Sequence, residues 1–355
     1  MPASADIQNA AGAVVEPVLN RSLADLKMIG GADVSGETAV IDVVLPTPAY
    51  PQRDQLQELI ATAVKQKSPE FKNVDVRYSV DVKGKKSGGN IGLKVKNVIA
   101  VGSGKGGVGK STVAAMIACG LKKWGASVGL MDADVYGPSI PHLVGATGQP
   151  AIKQFQTPDG RTFERIEPIE AGGIKVISMG FMVGEDQAVV WRGPMLHKAL
   201  TQFLQQTDWG ELDYLIVDMP PGTGDVALTL SQLVSLAGSV VVCTPQKVAL
   251  LDAGKAISMF NTVKIPVLGM VENMTGEIFG QGGAKAKAEA MNVPFLGELP
   301  SNALIRIRGD EGRILTLADE DSPVRESVLQ LSANVAMQVV KQVAEGPAMP
   351  TLELL

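Results

Sequence analysis

Residues 104–111 read Gly104-Lys105-Gly106-Gly107-Val108-Gly109-Lys110-Ser111. The spacing G-x-x-x-x-G-K-[ST] belongs to a bend that cradles nucleotide phosphates, provided that a strand precedes it and a helix follows. Both are expected here. Val98-Ile99-Ala100-Val101 is an apolar run of strand length, and a helix is expected from Ser111 towards Trp124. Glycines at 104, 106, 107 and 109 let backbone N–H groups converge on phosphate oxygens with no Cβ in the way. The helix start adds its positive dipole end. Lys110 is expected to reach the β- and γ-phosphates of ATP and the Ser111 hydroxyl to ligate Mg2+, with Val108 and Thr112 completing the nucleotide-binding stretch.

Working outward, short apolar runs recur at 128–131, 174–179, 214–217, 240–243 and 267–271, separated by helical stretches. Such runs read as strands buried on both faces, and their alternation with helices predicts right-handed crossovers. The expected fold is α/β, a P-loop NTPase with a mostly parallel sheet flanked by helices. Two of these strands end in acids. Asp134 follows the run at 128–131, where it can meet a nucleophilic water or the metal shell, and Asp218 closes the run at 214–217 as a second Mg2+-facing carboxylate. The loop Pro220-Pro221-Gly222-Thr223-Gly224-Asp225 is placed to sense the γ-phosphate, although Asp225 reads equally well as a helix cap. Ser322-Pro323 is expected to cap and open a last helix with Val324, Val328, Leu331, Val335 and Val339 on one side, ended by Gly346-Pro347.

The pattern ahead of the loop is different. Residues 1–82 read as a small α+β domain: a strand over 39–45, a helical period through Leu56, Leu59, Ile60, Ala63 and Val64, and alternation from Val74 to Val82. Residues 83–97 begin Lys83-Gly84-Lys85-Lys86-Ser87-Gly88-Gly89-Asn90 and read as a flexible lysine- and glycine-rich linker. Its lysines either meet water or touch an acidic partner. The ATPase domain then spans 98–345, and 346–355 form a tail.

Bulk properties narrow the function. The chain has 355 residues, 45% hydrophobic and 19% charged, enough apolar material for two domains. A net charge of −5 argues against a nucleic-acid partner. There is no run of membrane-spanning length and no basic residue before Arg21, so neither a membrane nor a leader is expected and the location is read as cytoplasmic. Two cysteines do not make a disulfide framework. Cys119 and Cys243 lie among apolar neighbours and read as small buried hydrophobes, and His142 and His197 as surface residues outside any ligand pair.

The loop with its extra lysine, Lys105, resembles the deviant Walker A class. Six more stretches extend the likeness: Asp132-Ala133-Asp134-Val135-Tyr136-Gly137-Pro138-Ser139, Ser178-Met179-Gly180-Phe181, Trp191-Arg192-Gly193-Pro194, Trp209-Gly210-Glu211-Leu212-Asp213-Tyr214, residues 218–225 and Val271-Glu272-Asn273-Met274. Together they resemble the Mrp/ApbC family of iron–sulfur cluster carrier ATPases, within the MinD/ParA/nitrogenase-iron-protein group, over nearly the whole chain. The resemblance implies a slow, switch-like ATPase that works as a nucleotide-dependent homodimer alongside iron–sulfur assembly or client proteins. It implies that Asp134 is the catalytic switch aspartate, that Asn273 recognises adenine, and that 191–194 line the dimer interface. Lys105 of one subunit is expected to approach phosphates bound by the other. Residues 1–82 resemble the MIP18-type domain fused ahead of such ATPases.

Two departures bear on cluster chemistry. Family members carry a Cys-x-x-Cys shortly after the Glu-Asn-Met segment, whereas Met274 here is followed by Thr275-Gly276-Glu277-Ile278-Phe279-Gly280. In the Thr-Pro-Ala-Cys-Pro turn of the amino-terminal domain, Tyr50 stands where the cysteine is common. No iron–sulfur ligand is identified, so an iron–sulfur cluster is implied by the resemblance alone. Three readings remain: a cluster carrier or assembly factor, a metal-free ATP-gated dimeric adaptor, and a MinD/ParA-like positioning ATPase. The last is disfavoured by a carboxy-terminal tail without a basic amphipathic helix.

Overall fold

A computed structural model describes residues 2–84, 91–156, 162–182, 193–222, 224–319 and 321–345. Contacts divide the chain into two compact units: residues up to Lys83 together with the end of the last helix from Val340, and Gly84–Val339.

The first unit holds α1 (Pro2–Gly12), β1 (Ile29–Ser35), β2 (Thr38–Leu45), α2 (Arg53–Lys67) and β3 (Asn73–Val80). The strands form a sheet in the order β1-β2-β3, antiparallel between β1 and β2 and parallel between β2 and β3. Ile41, Val43 and Leu45 alternate inward on β2, and Leu56, Ile60 and Val64 line one side of α2; all six are fully buried. The alternation expected through Val82 stops earlier. Strand β3 ends at Val80, which is 45% exposed, whereas Val82 lies beyond the strand and is buried.

The second unit is built on an eight-stranded sheet ordered β13-β12-β11-β4-β10-β5-β9-β8. Its strands are β4 (Val95–Gly102), β5 (Val128–Asp132), β8 (Ile169–Ala171), β9 (Ile174–Ser178), β10 (Leu212–Asp218), β11 (Leu236–Cys243), β12 (Val267–Thr275) and β13 (Phe295–Pro300), with β6 (Ile152–Gln156) and β7 (Thr162–Ile166) forming a separate antiparallel ribbon. Every pairing in the large sheet is parallel except β8 with β9. All six apolar runs are strands here, and β10 and β11 are buried along almost their whole length. Helices α3 (Lys110–Lys123), α4 (Ile140–Val144), α5 (Gly193–Gln206), α6 (Gly224–Leu233), α7 (Lys247–Thr262), α8 (Gly283–Ala290), α9 (Ala303–Asp310) and α10 (Arg325–Glu345), the last as far as Val339, complete the unit. From β4 the chain builds the sheet one way towards β5 and later the other way towards β11. The carboxyl end of β4 is therefore a switch point, the usual place for a ligand in an open α/β sheet.

Some boundaries differ from the sequence expectation. Strand β4 begins at Val95, inside the stretch read as linker, because Val95 and Asn97 are buried and pair with β10. Of that linker, residues 85–90 lie outside the described residues, as does the tail from 346. The last helix opens at Arg325 rather than at Pro323. Ser322–Arg325 form a turn closed by Arg325 N–H donating to the Ser322 carbonyl at 3.1 Å, and the Ser322 hydroxyl caps nothing among the described residues. Its apolar side is as expected, with Val324, Val328, Leu331, Val335 and Val339 all buried. Among the described residues no helix is long and apolar enough to cross a membrane.

Candidate functional site

The glycine-rich bend joins β4 to α3, at the switch point. Two of its glycines are required by their surroundings. A Cβ at Gly104 would lie 2.0 Å from the Asp252 carbonyl oxygen, so no side chain fits between the bend and α7. Gly109, immediately before α3, has φ +78°, a conformation that L side chains resist, and a Cβ there would sit 2.3 Å from Asn273 Nδ2. The bend is braced from three directions. Ser103 Oγ donates to the Lys105 carbonyl at 2.9 Å, Gly222 N–H donates to the Ser103 carbonyl at 3.0 Å, and Asn273 Nδ2 donates to the Val108 carbonyl at 2.9 Å.

The two lysines of the bend have opposite environments. Lys110 is 6% exposed, and its Nζ lies 2.6 Å from Asp218 Oδ1, 3.4 Å from Asp134 Oδ2 and 3.2 Å from Ser111 Oγ. Strands β10 and β5 are neighbours in register, Asp218 opposite Asp132, and this brings Asp134 and Asp218 to one ammonium although 84 positions separate them in the chain. Lys105 is half-buried, and its ammonium has no ion pair or hydrogen bond among the described residues. Thr112 and Ser111 are half-buried in the first turn of α3, and Val108 is buried.

A carboxylate that sequence reasoning passed over lies beside this group. Asp132, the last residue of β5, is fully buried. Burial and the nearby charge of Asp218 push its carboxyl up to about 8, against hydrogen bonds from Ser178, Asp134 and Ile140 that favour the charged form. Burial likewise raises the Asp218 carboxyl, opposed by the Lys110 ammonium. Asp218 Oδ2 is buried with no hydrogen-bond partner. The sequence does carry a signal for Asp132, an acid that closes the apolar run at 128–131 and so ends a buried strand.

Other expected residues are dispersed or lie outside view. Asn273 touches the bend itself, through Val108. Asp225 is exposed in the first turn of α6, where an acid meets the helix dipole. Thr223, Trp191 and Arg192 lie outside the described residues, and Gly193-Pro194 open α5. His142 and His197 are both exposed, on α4 and α5.

The thiols are hydrophobes. Cys119 Sγ lies 3.3 Å from the Met116 carbonyl within α3, and Cys243 Sγ lies 3.8 Å from the Val271 carbonyl. Burial pushes each thiol up to about 12. Among the described residues no group of three or more His, Cys, Asp or Glu could hold a metal ion. Where a family Cys-x-x-Cys would follow Met274, the chain closes on itself: Gly276 N–H donates to the Gly280 carbonyl at 3.0 Å and Gly280 N–H to the Gly276 carbonyl at 2.7 Å. In the first unit Tyr50 is 1% exposed and its hydroxyl donates to the buried Glu16 carboxylate, so this position is filled by a structural contact.

The profile of the family described as NUBPL iron-transfer P-loop NTPase matches residues 94–336. The chain belongs to that family. A second profile, described as iron-sulfur cluster assembly protein, matches residues 4–77. A relative from Synechocystis sp., named iron-sulfur cluster carrier protein, is 43% identical over 340 residues, which cover 92% of this chain and 95% of the relative. Among solved structures, a nucleotide-binding protein from Archaeoglobus fulgidus in complex with ADP is 38% identical with a TM-score of 0.53, over 62% of this chain and 88% of that one. The Pyrococcus furiosus cell division ATPase MinD shares the fold, with a TM-score of 0.51 at 19% identity over 67% of this chain and 98% of that one.

Proposed function

We propose that this chain is a cytoplasmic, slowly turning-over ATPase that assists iron–sulfur cluster delivery as a nucleotide-dependent homodimer, and that the thiols for the cluster come from a partner. The carrying observation is one ammonium, Lys110, held in a buried pocket by Asp218, Asp134 and Ser111 at the mouth of a phosphate-cradling bend. Amides of 104–111 and the start of α3 would receive the phosphates, and Lys110 would exchange its carboxylate contacts for the β- and γ-oxygens. Asp134 would then orient the attacking water, while Asn273 steadies the bend and meets adenine at its edge.

Mg2+ suits the residues present. Asp218 offers a buried oxygen with no partner, and the Ser111 hydroxyl lies within 3.2 Å of the same ammonium. These two groups would hold the ion, which when bound supplies charge neutralisation across the β- and γ-phosphates. Lys105, half-buried and unpaired among the described residues, is free to serve phosphates held by a second subunit.

The alternative of a metal-free adaptor draws on the buried thiols and the closed loop at 276–280. Steady-state ATP hydrolysis and sedimentation with and without a non-hydrolysable ATP analogue test the ATPase and dimer readings; a Lys105→Ala protein with unchanged rate and unchanged assembly would defeat the role of Lys105. Anaerobic reconstitution of the purified chain, alone and with a thiol-bearing partner, separates delivery from the adaptor. Stoichiometric cluster on the chain alone would overturn partner-supplied ligation, and no cluster under either condition would favour the adaptor.

A further inference from the structure

Asp134 does not orient itself. Its Oδ1 accepts the N–H groups of Tyr136 at 3.1 Å and Gly137 at 3.2 Å, which leaves Oδ2 facing Lys110. Which oxygen faces the site therefore depends on the path of the backbone from 134 to 140. Both ends of that path are clipped to one side chain: Asp132 Oδ1 accepts Asp134 N–H at 3.0 Å, and Oδ2 accepts Ile140 N–H at 3.2 Å. A third donor reaches the same carboxylate from the neighbouring strand. Ser178 ends β9, is the register partner of Asp132, and donates its hydroxyl to Asp132 Oδ2 at 2.9 Å. The Ser178 oxygen in turn accepts Gly180 N–H at 2.9 Å, and Gly180 abuts Pro138: a Cβ at Gly180 would lie 3.2 Å from Pro138 Cβ. Ser178 and Asp132 are both fully buried.

We infer that Asp132 and Ser178 form a positioning pair that sets the loop carrying Asp134, and through it the aim of Asp134 at the reacting phosphate. The inference rests on the ATPase reading above. The physical reason is donor arithmetic. In its charged form the carboxylate accepts on both oxygens, and three separate segments (the loop start, the α4 start and the end of β9) converge on it with donors that oppose the protonation burial favours. An amide cannot replace it, because turning its carbonyl towards one side points an N–H₂ at a donor on the other. The Ser178 hydroxyl holds the carboxylate rotamer from outside the loop, so its loss loosens the loop without touching nucleotide.

The test uses the full chain with Ser178→Ala, Ser178→Cys (near-isosteric, with a weak donor) and Asp132→Asn, measured by steady-state ATP hydrolysis, calorimetry with ADP and amide hydrogen exchange. Ser178→Ala is expected to lower kcat by about 10-fold and Asp132→Asn by about 10²-fold, with ADP affinity and KM moved by less than about twofold, since misplacement of a catalytic group by roughly 1 Å has effects of this size. Exchange should rise at 133–140 and stay unchanged at 104–112. A folded Ser178→Ala protein with wild-type kcat, or one in which KM rises in step with the fall in kcat, overturns the pair. Should Ser178→Ala fail to fold, Ser178→Cys decides by the same criteria. If the wild-type chain hydrolyses no ATP, the functional reading fails by itself, and exchange at Asp134 and Ile140 decides the pair: unchanged protection in the Ser178 variants overturns it.

Discussion

Two glycine-rich loops leave the carboxyl edge of the same sheet, and they could hardly differ more. The loop after β4 brings a buried ammonium between two carboxylates, presents a second lysine with no partner among the described residues, and is braced by Ser103, Gly222 and Asn273. The tip of the loop after β12 closes on its own backbone: Gly276 and Gly280 exchange both hydrogen bonds, and Ile278 between them is 83% exposed. A loop satisfied internally has nothing to offer a ligand, whereas a loop braced from outside can aim its amides and cations elsewhere. Among the described residues, an ammonium and two carboxylates gather at the loop after β4, and no thiol lies in the loop after β12.

The comparison can be broken most directly at Lys110. Lys110→Ala removes the cation shared by Asp134 and Asp218, and ATP hydrolysis should fall by about 10²-fold or more. Steady-state kinetics beside calorimetry with ADP would check it, and a wild-type rate would mean that the loop after β4 is ornamental. Next in size is Tyr50→Phe, which extends the comparison to the other position where a family thiol is absent. The Glu16 carboxylate, fully buried, would lose its hydroxyl donor and keep the N–H groups of Val18 and Leu19. The first unit should be destabilised by about 1–3 kcal/mol, read from denaturant unfolding, with ATP hydrolysis unaltered.

A smaller effect is expected at Asn273. Asn273→Ala removes the bond to the Val108 carbonyl, about 1 kcal/mol, and should weaken nucleotide binding by roughly 5-fold without abolishing it. Smallest is an expected null at the thiols. Because burial disfavours the thiolate and pushes both pKa values up to about 12, Cys119 and Cys243 stay protonated as pH rises through 8 and towards 10. Iodoacetamide should label neither in the native protein at about pH 8 and both after unfolding, followed by mass spectrometry. Native labelling of either one would reopen ligation by this chain.

Much of this was readable before any coordinates. The bend at 104–111 was legible because most of its demands are local: glycine at 107 and 109, where φ is positive, and lysine and serine at the start of a helix. The buried strands were legible because burial on both faces leaves an unbroken apolar run. Strand β13 was not, since Gly297, Glu298 and Pro300 interrupt it and only its pairing with β12 makes it a strand. The β6–β7 ribbon was missed for a related reason. Nearly all its residues are exposed, so no buried face marks it, and its clearest signature is the cross-strand stack of Phe155 on Phe163, with ring centroids 5.5 Å apart.

The sequence by itself determined that a nucleotide loop exists, that a parallel sheet carries it, and that the two cysteines form no Cys-x-x-Cys, because each of these depends on neighbours within a few positions or on composition alone. The tertiary structure alone decided that Asp134 and Asp218 share one ammonium, that Asp132 clips both ends of the loop from 134 to 140, and that Ser178 reaches it from the adjacent strand. Apart from the short-range bonds of Asp132 to its own loop, those contacts join residues 24 to 108 positions apart, and strand register, which no local pattern encodes, is what brings them within reach.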